Sequence, residues 1–400
     1  MLNLLSFCLF LATASLDGLL YNKGASFRNF IHIMVLLTVW LLLYTLVVNK
    51  CGGVHKLLNL ALSVTVLLVF KTKSLLLFYV FFEFRVLPIT IILFLFGYQP
   101  EKLQASLSLL LYTVVSSLPL FLFILIEEEV FMLAHIKSGL ITISVTLCFI
   151  VKTPMFLLHT WLPKAHVEAP VGGSMVLAGV LLKLGAYGLL IFIPLIRLNP
   201  IIVFYISMAL IGSIVCSLNC LRQGDLKLLV AYRSVVHIGV VILGIARGTE
   251  IGYTSGVIIV LRHGLRSPFL FAFVFWLYES SHSRLIVNNR CIWPVLYWAM
   301  LGLVSLNIGV PPCPSLWAEL LIVVRILNTI SCVAPILFFI FLLSAVYNLF
   351  LFTSCNHSIT GNIKSSLPIS CLLPLAQVFF LSYSSFFCLD IYHLSLFEPS

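Results

Sequence analysis

Residues 151–190 read VKTPMFLLHTWLPKAHVEAPVGGSMVLAGVLLKLGAYGLL. Long apolar runs flank the stretch. Within it stand Lys152, His159, Lys164, His166, Glu168 and Lys183, and Pro154, Pro163 and Pro170 cut the helical pattern. An ionisable group at bilayer depth costs roughly 2.5–3.5 kcal/mol on insertion scales, so such groups tend to mark an ion path. Proline breaks at that depth are tolerated only where the freed carbonyls face protein or water. Broken helices carrying buried charges are a transporter signature.

The rest of the chain supports a lipid solvent. Of 400 residues, 62% are hydrophobic and 9% charged, with a mean hydropathy of +1.17. That is more apolar surface than a water-soluble core can use. The apolar runs are continuous and lack the alternation of lipid-facing strands, so helices are expected and not a barrel. Net charge is +10, but the basic residues are scattered among short loops, which argues against nucleic acid as a partner. The eleven cysteines include no CxxC pair, and Cys216 and Cys220 read as packing residues on one helix. The first apolar run begins at Leu4 with no Arg- and Ser-rich leader, which fits synthesis inside a bacterium or an organelle.

A window of about 20 residues places spans near 2–20, 31–48, 56–71, 74–96, 104–126, 138–161, 170–193, 200–220, 225–246, 252–277, 291–328 (interrupted), 332–353 and 371–390. The expectation is an all-α polytopic membrane protein of about 13 transmembrane helices. Loops such as 97–102 and 288–289 are too short to form an extramembrane domain. The sixth span breaks at Pro154 beside Lys152, and the eleventh at Pro311, Pro312 and Pro314 ahead of Glu319. Each break falls in the fourth helix of a five-helix set. An odd number of helices per set gives two inverted repeats, as in ion carriers. The predicted organisation is N-terminal helices over 1–55, a first repeat over 56–193, a second over 200–353 and a C-terminal helix over 354–400.

Within this frame Glu83, deep in YVFFEFRVLP, needs a buried partner to stay charged. Lys152 is too far from either end of its run to snorkel, so a Glu–Lys pair could act as a switchable proton site. His159 would share a helical face with Lys152 if the helix continued through Pro154, and His166 falls at a loop end. Lys183 lies mid-span among small residues. Asp225 reads as a helix N-cap, with Lys227 at a span's edge. His237 and His263 are relay candidates on neighbouring spans, and Glu319 follows the proline cluster as a gate. The candidate proton path is therefore Glu83, Lys152, Lys183, His237, His263 and Glu319, with His159 beside it. A bis-histidine haem would need paired histidines on facing helices, and His237 with His263 is the one mid-span pair. No Gly-rich phosphate loop is present either, so no cofactor or metal is expected in this chain.

The stretch at 151–190, together with FFEFRVLPI (81–89), GYQPEKLQA (97–105), SLNCLRQGDLKLLVAY (217–232), HGLRSPFLFAFVFWLYESSHSR (263–284) and NIGVPPCPSLWAEL (307–320), closely resembles the antiporter-like membrane subunits of NADH:ubiquinone oxidoreductase, respiratory complex I. The likeness is to the mitochondrial subunit-4 type and runs in order from about Phe81 to Leu320. It implies an antiporter-like fold with two inverted repeats, in the mitochondrial inner membrane. Proton pumping would be driven by redox chemistry on other subunits, which carry FMN, iron–sulfur clusters and ubiquinone. The partners implied are the other membrane-arm subunits, lipid, protons and internal water. Residue by residue it makes Glu83 and Lys152 the paired acid and broken-helix lysine, and Lys183 the bridging lysine. His237 and His263 become the axial histidines and Glu319 the terminal acid. A stand-alone cation/proton antiporter with the same fold is the alternative reading, and a scaffold that has lost transport gains nothing from buried charges.

The chain departs from the family pattern in two ways. The part before Glu83 looks shorter, by about one helix, and Arg85, Arg233, Arg262, Arg266 and Arg325 fall where the family has small or hydroxyl residues. Five guanidinium groups in a membrane with few acids to pair them are expensive. Serine at some of these positions, under a variant genetic code, is the hypothesis that removes the cost.

Overall fold

The computed structural model describes residues 25–48, 52–72, 74–97, 99–126, 139–192, 200–246, 250–289, 294–311, 313–327 and 333–356. The spans expected at 2–20 and 371–390 lie outside them. The described elements are helices: α1 Ala25–Val48, α2 Gly53–Lys71, α3 Leu75–Phe84, α4 Val86–Phe96, α5 Lys102–Ile126, α6 Gly139–Lys152, α7 Trp161–Glu168, α8 Val171–Val176 and α9 Leu182–Phe192. The second half holds α10 Pro200–Arg222, α11 Leu226–Ile245, α12 Glu250–Ser281, α13 Pro294–Ile308, α14 Pro314–Leu327 and α15 Ala334–Asn356. Eight helical segments among them are long and apolar enough to cross a membrane, and shorter apolar helices accompany them. Such a chain has no water to satisfy its backbone, so the ladder must close within each helix. Serine and threonine hydroxyls do the same, returning to carbonyls one turn back, as Ser63 does to Leu60 (2.7 Å) and Thr38 to Val35 (2.7 Å).

Apolarity alone cannot tell inside from outside here, because both are apolar. Burial does. Of an 18-residue stretch within each span, 89% is buried in 171–192 and 83% in Leu226–Ile245, against 39% in Lys102–Leu125 and 33% in Ala334–Asn356. The centre is thus α8–α9, α11 and α12. The outer helices turn Leu111, Val115, Leu122, Val203, Phe204 and Phe338 outward, as a lipid-facing wall would. The long α12 joins the halves, packing on α8 and the turn after it from the first and on α14 from the second.

Four interruptions shape this core. Arg85 forms a turn between α3 and α4. Between α6 and α7, Pro154 lacks a donor; Met155 N bonds Ile150 O (3.2 Å) and the Trp161 indole bonds the freed Val151 carbonyl (3.1 Å). Leu157, in the same loop, sits at φ 72°, a left-handed conformation that costs a leucine energy and is held by its surroundings. Residues Leu177–Leu181 form one π-helical turn between α8 and α9. The fourth break separates α13 from α14, where Gly309 at φ +81° makes the reversal that a side chain would resist. Asp225 caps α11, accepting the Lys227 backbone N–H at 2.9 Å as the sequence predicts.

Candidate functional site

Ending α6 at the break leaves Lys152 as its last residue, 2% exposed, and its ammonium makes an ion pair with the Glu83 carboxylate across from α3. The same ammonium lies 3.9 Å from the centre of the Phe82 ring, and the Arg85 guanidinium lies 4.2 Å from it. One buried ring therefore shields two cations, as ring quadrupoles do in dry surroundings. Oε2 of Glu83 is buried without a hydrogen-bond partner. One carboxylate oxygen is committed and one is open.

The π turn makes the next station. A π turn shifts the backbone register and leaves carbonyls for side chains. The Lys183 ammonium donates to Ala178 O and lies 2.7 Å from His263 Nδ1, and Ser267 Oγ also donates to Ala178 O at 3.3 Å. Arg85 Nη1 reaches the same turn, donating to Leu181 O at 3.0 Å. It thereby links the Glu83–Lys152 pair to the Lys183 turn. The His263 ring stands 5.8 Å from that of His237, so α9, α12 and α11 each contribute a titratable group to one continuous set.

Beyond the histidines a cavity of about 20 Å³, room for about one water molecule, is lined by His237, His263, Arg233, Arg262, Arg266, Asn307, Ser315 and Glu319. Arg266 donates to Leu306 O, the carbonyl opened by the second break, and to Ser315 Oγ at 3.2 Å. Gly309 lies beside the Glu319 carboxylate, which places the acid next to the second break. The structure thus brings together Lys183, His237, His263 and Glu319 around one polar seam. Glu83 and Lys152 form a separate pair at its other end.

Two sequence expectations are corrected. The helix does not continue through Pro154, so His159 does not share a helical face with Lys152. It sits in the break, its ring stacked on Phe156 (5.5 Å between centroids) and near Cys216 Sγ at 4.0 Å. His166 is not at a loop end: it lies within α7, fully buried, stacked on Phe271 at 4.5 Å and 8°. Lys164 is exposed. Arg85, Arg233, Arg262 and Arg266 are all buried; the Arg325 side chain lies outside the described set. Sequence reasoning missed the π turn, whose signal is only a run of small residues, and the burial of Lys227.

A helical bundle with two broken helices and a buried series of titratable groups defines an ion-carrier type of membrane protein. Residues 72–347 match the family described as NADH:quinone oxidoreductase/Mrp antiporter, transmembrane, and the chain belongs to it. Relatives named NADH-ubiquinone oxidoreductase chain 4 are 37% identical in Ceratitis capitata, over 81% of this chain and 77% of the relative, and 34% identical in Rhipicephalus sanguineus, over 88% and 86%. The fold is shared with a chain of respiratory complex I from Thermus thermophilus, with a TM-score of 0.79 at 24% identity, over 92% of this chain and 83% of that one. A chain of the archaeal membrane-bound sulfane sulfur reductase has the same TM-score of 0.79 at 19% identity, covering 92% and 82%.

Proposed function

We propose that this chain is a proton-translocating membrane subunit of respiratory complex I, coupled to NADH-to-ubiquinone electron transfer on other subunits. The observation that carries the reading is the buried Lys152–Glu83 pair at a helix break in the same core as the seam of Lys183, His263, His237 and the Glu319 cavity. Each member gains or loses a proton, and buried series of such groups serve pumps. The chain 4 relatives support membership in that complex, beside other subunits of it, in the mitochondrial inner membrane. Lipid around the bundle and water inside it complete the reading. FMN, iron–sulfur clusters and ubiquinone would belong to those other subunits. The layout is taken as about 13 spans, with repeats over 56–193 and 200–353 between end segments 1–55 and 354–400. The two breaks, each followed by a short helix, support it. In the working cycle a charge change along the seam opens the Lys152–Glu83 pair, and the released lysine proton passes toward Lys183 and Glu319.

The competing reading is a stand-alone cation/proton antiporter. Proteoliposomes holding the purified complex separate them: NADH and a quinone should drive a pH gradient without added sodium or potassium gradients. A pH change that follows an imposed cation gradient and ignores NADH would favour the antiporter.

We also propose serine, not arginine, at positions 85 and 233. Arg85 Nε spends its bond on Phe82 O at 2.9 Å, the carbonyl one turn back that helical serines of this chain take, as Ser234 takes Ala231 O at 2.7 Å. Serine would keep that bond and remove a buried charge worth roughly 2.5–3.5 kcal/mol. Peptide mass spectrometry across Tyr232–Val241 is expected to give the mass of serine at position 233; arginine there would refute the proposal for that site.

A further inference from the structure

Lys183 is 2% exposed, so protons need a route to it from the aqueous edge. Loops from both halves meet at one end of the bundle. Gln99 N donates to Glu168 Oε2 at 3.2 Å, and the Gln99 side-chain amide, oriented with its nitrogen toward the acid, donates to Glu168 Oε1 at 2.6 Å and accepts from Arg284 Nη1 at 3.1 Å. Glu101, exposed at the start of α5, lies within electrostatic reach of Glu168. Just inside, the Lys227 ammonium, 5% exposed, donates to Ala169 O at 2.7 Å and to Val167 O at 3.2 Å, and it too is within electrostatic reach of Glu168.

His166 comes next. Its side chain is fully buried, its face lies flat on Phe271, and neither Nδ1 nor Nε2 has a hydrogen-bond partner. A buried polar atom without a hydrogen bond is costly, and a histidine kept only for packing ordinarily satisfies at least one nitrogen. Lys227, whose ammonium holds the neighbouring Val167 and Ala169 carbonyls, and Lys183 both act electrostatically on the ring. The imidazole is thus coupled to a lysine next to the surface cluster and to the lysine at the centre of the seam.

We propose that Glu168, Lys227 and His166 form the proton-uptake route to Lys183, an inference that rests on the proton-translocation reading above. A neutral imidazole accepts at one ring nitrogen and donates from the other. The Lys227 ammonium gives a proton to one nitrogen of His166, and the proton on the other nitrogen passes to the neutral amine of Lys183. The imidazole ends neutral with its tautomer exchanged. Lys227, now an amine, takes its replacement proton through Glu168 from the aqueous edge. The count closes at one proton in at Glu168 and one proton on Lys183.

Two substitutions in the assembled complex test the route. His166→Phe keeps an aromatic ring against Phe271 and removes both nitrogens. Lys227→Arg keeps a cation to hold the Val167 and Ala169 carbonyls, but a guanidinium does not release its proton. Each is expected to lower NADH-driven proton pumping about tenfold or more, since a positioned proton-transfer group is lost. The complex should migrate intact on a native gel. Parental pumping in both variants, with Lys152→Ala inactive in the same assay, overturns the route and leaves the wider reading standing. If His166→Phe fails to assemble, Lys227→Arg decides alone: parental pumping refutes the route, and an intact but slowed complex supports it.

Discussion

Complex containing Lys152→Arg should assemble and yet oxidise NADH about tenfold or more slowly than the parent, with proton pumping reduced alongside. The arginine would keep a cation beside Glu83 and over the Phe82 ring, so the ion pair that holds α3 to the end of α6 survives. What is lost is the ability to give up a proton, which a guanidinium lacks at any working pH. Lys152→Ala should be at least as slow, but it also strands Glu83. Removing one partner of a buried pair costs about 3–5 kcal/mol, and Glu83 already has one unpartnered oxygen. The arginine variant therefore separates chemistry from stability, with native-gel migration and NADH turnover as paired readouts. Turnover at the parental rate with Lys152→Arg would mean that the pair is structural.

Gly185→Val should prevent assembly. At this glycine α9 passes the end of α6 so closely that an added Cβ would meet Thr153 Cγ2 at 2.7 Å, Thr153 N at 3.0 Å and the Lys152 carbonyl carbon at 3.1 Å. Two of those three atoms are backbone, at the very residue where the helix breaks, so no side-chain rotation relieves the clash. Overpacking a dense interior costs about 1–3 kcal/mol, occasionally more, and here the displaced atoms carry Lys152. Immunodetection after native separation reads the outcome: the chain should be absent from the full-size band. Gly185→Ala should fall between parent and valine. If the valine variant assembles and turns over like the parent, the close approach of α9 to the break is not what sets the position of Lys152.

The breaks and the charges were legible because each violates the solvent. Lys152, Lys183 and Glu319 stand out in runs of leucine and isoleucine, and Pro154 and Pro311 announce where the ladder must open. The π turn was not legible: Leu177–Leu181 has no proline and no special φ, and its register shift is a matter of how α8 and α12 fit. His166 and Lys227 were undervalued for a related reason. Sequence position near a span's edge suggests exposure, but the half-helix α7 folds inward with His166, and Lys227, on α11, is covered where its ammonium meets the Val167 and Ala169 carbonyls. His159 went the opposite way, since its expected alignment with Lys152 depended on a helix that Pro154 ends. In a chain apolar on every side, the inner face of each helix is set by packing, and composition does not record it.

Membership in a redox-driven complex is read most directly by where the chain travels. Membranes are solubilised mildly and separated under native conditions, this chain is located by mass spectrometry, and each band is assayed for NADH oxidation. The chain should travel with the NADH-oxidising band. A smaller band holding the chain and lacking that activity would contradict it.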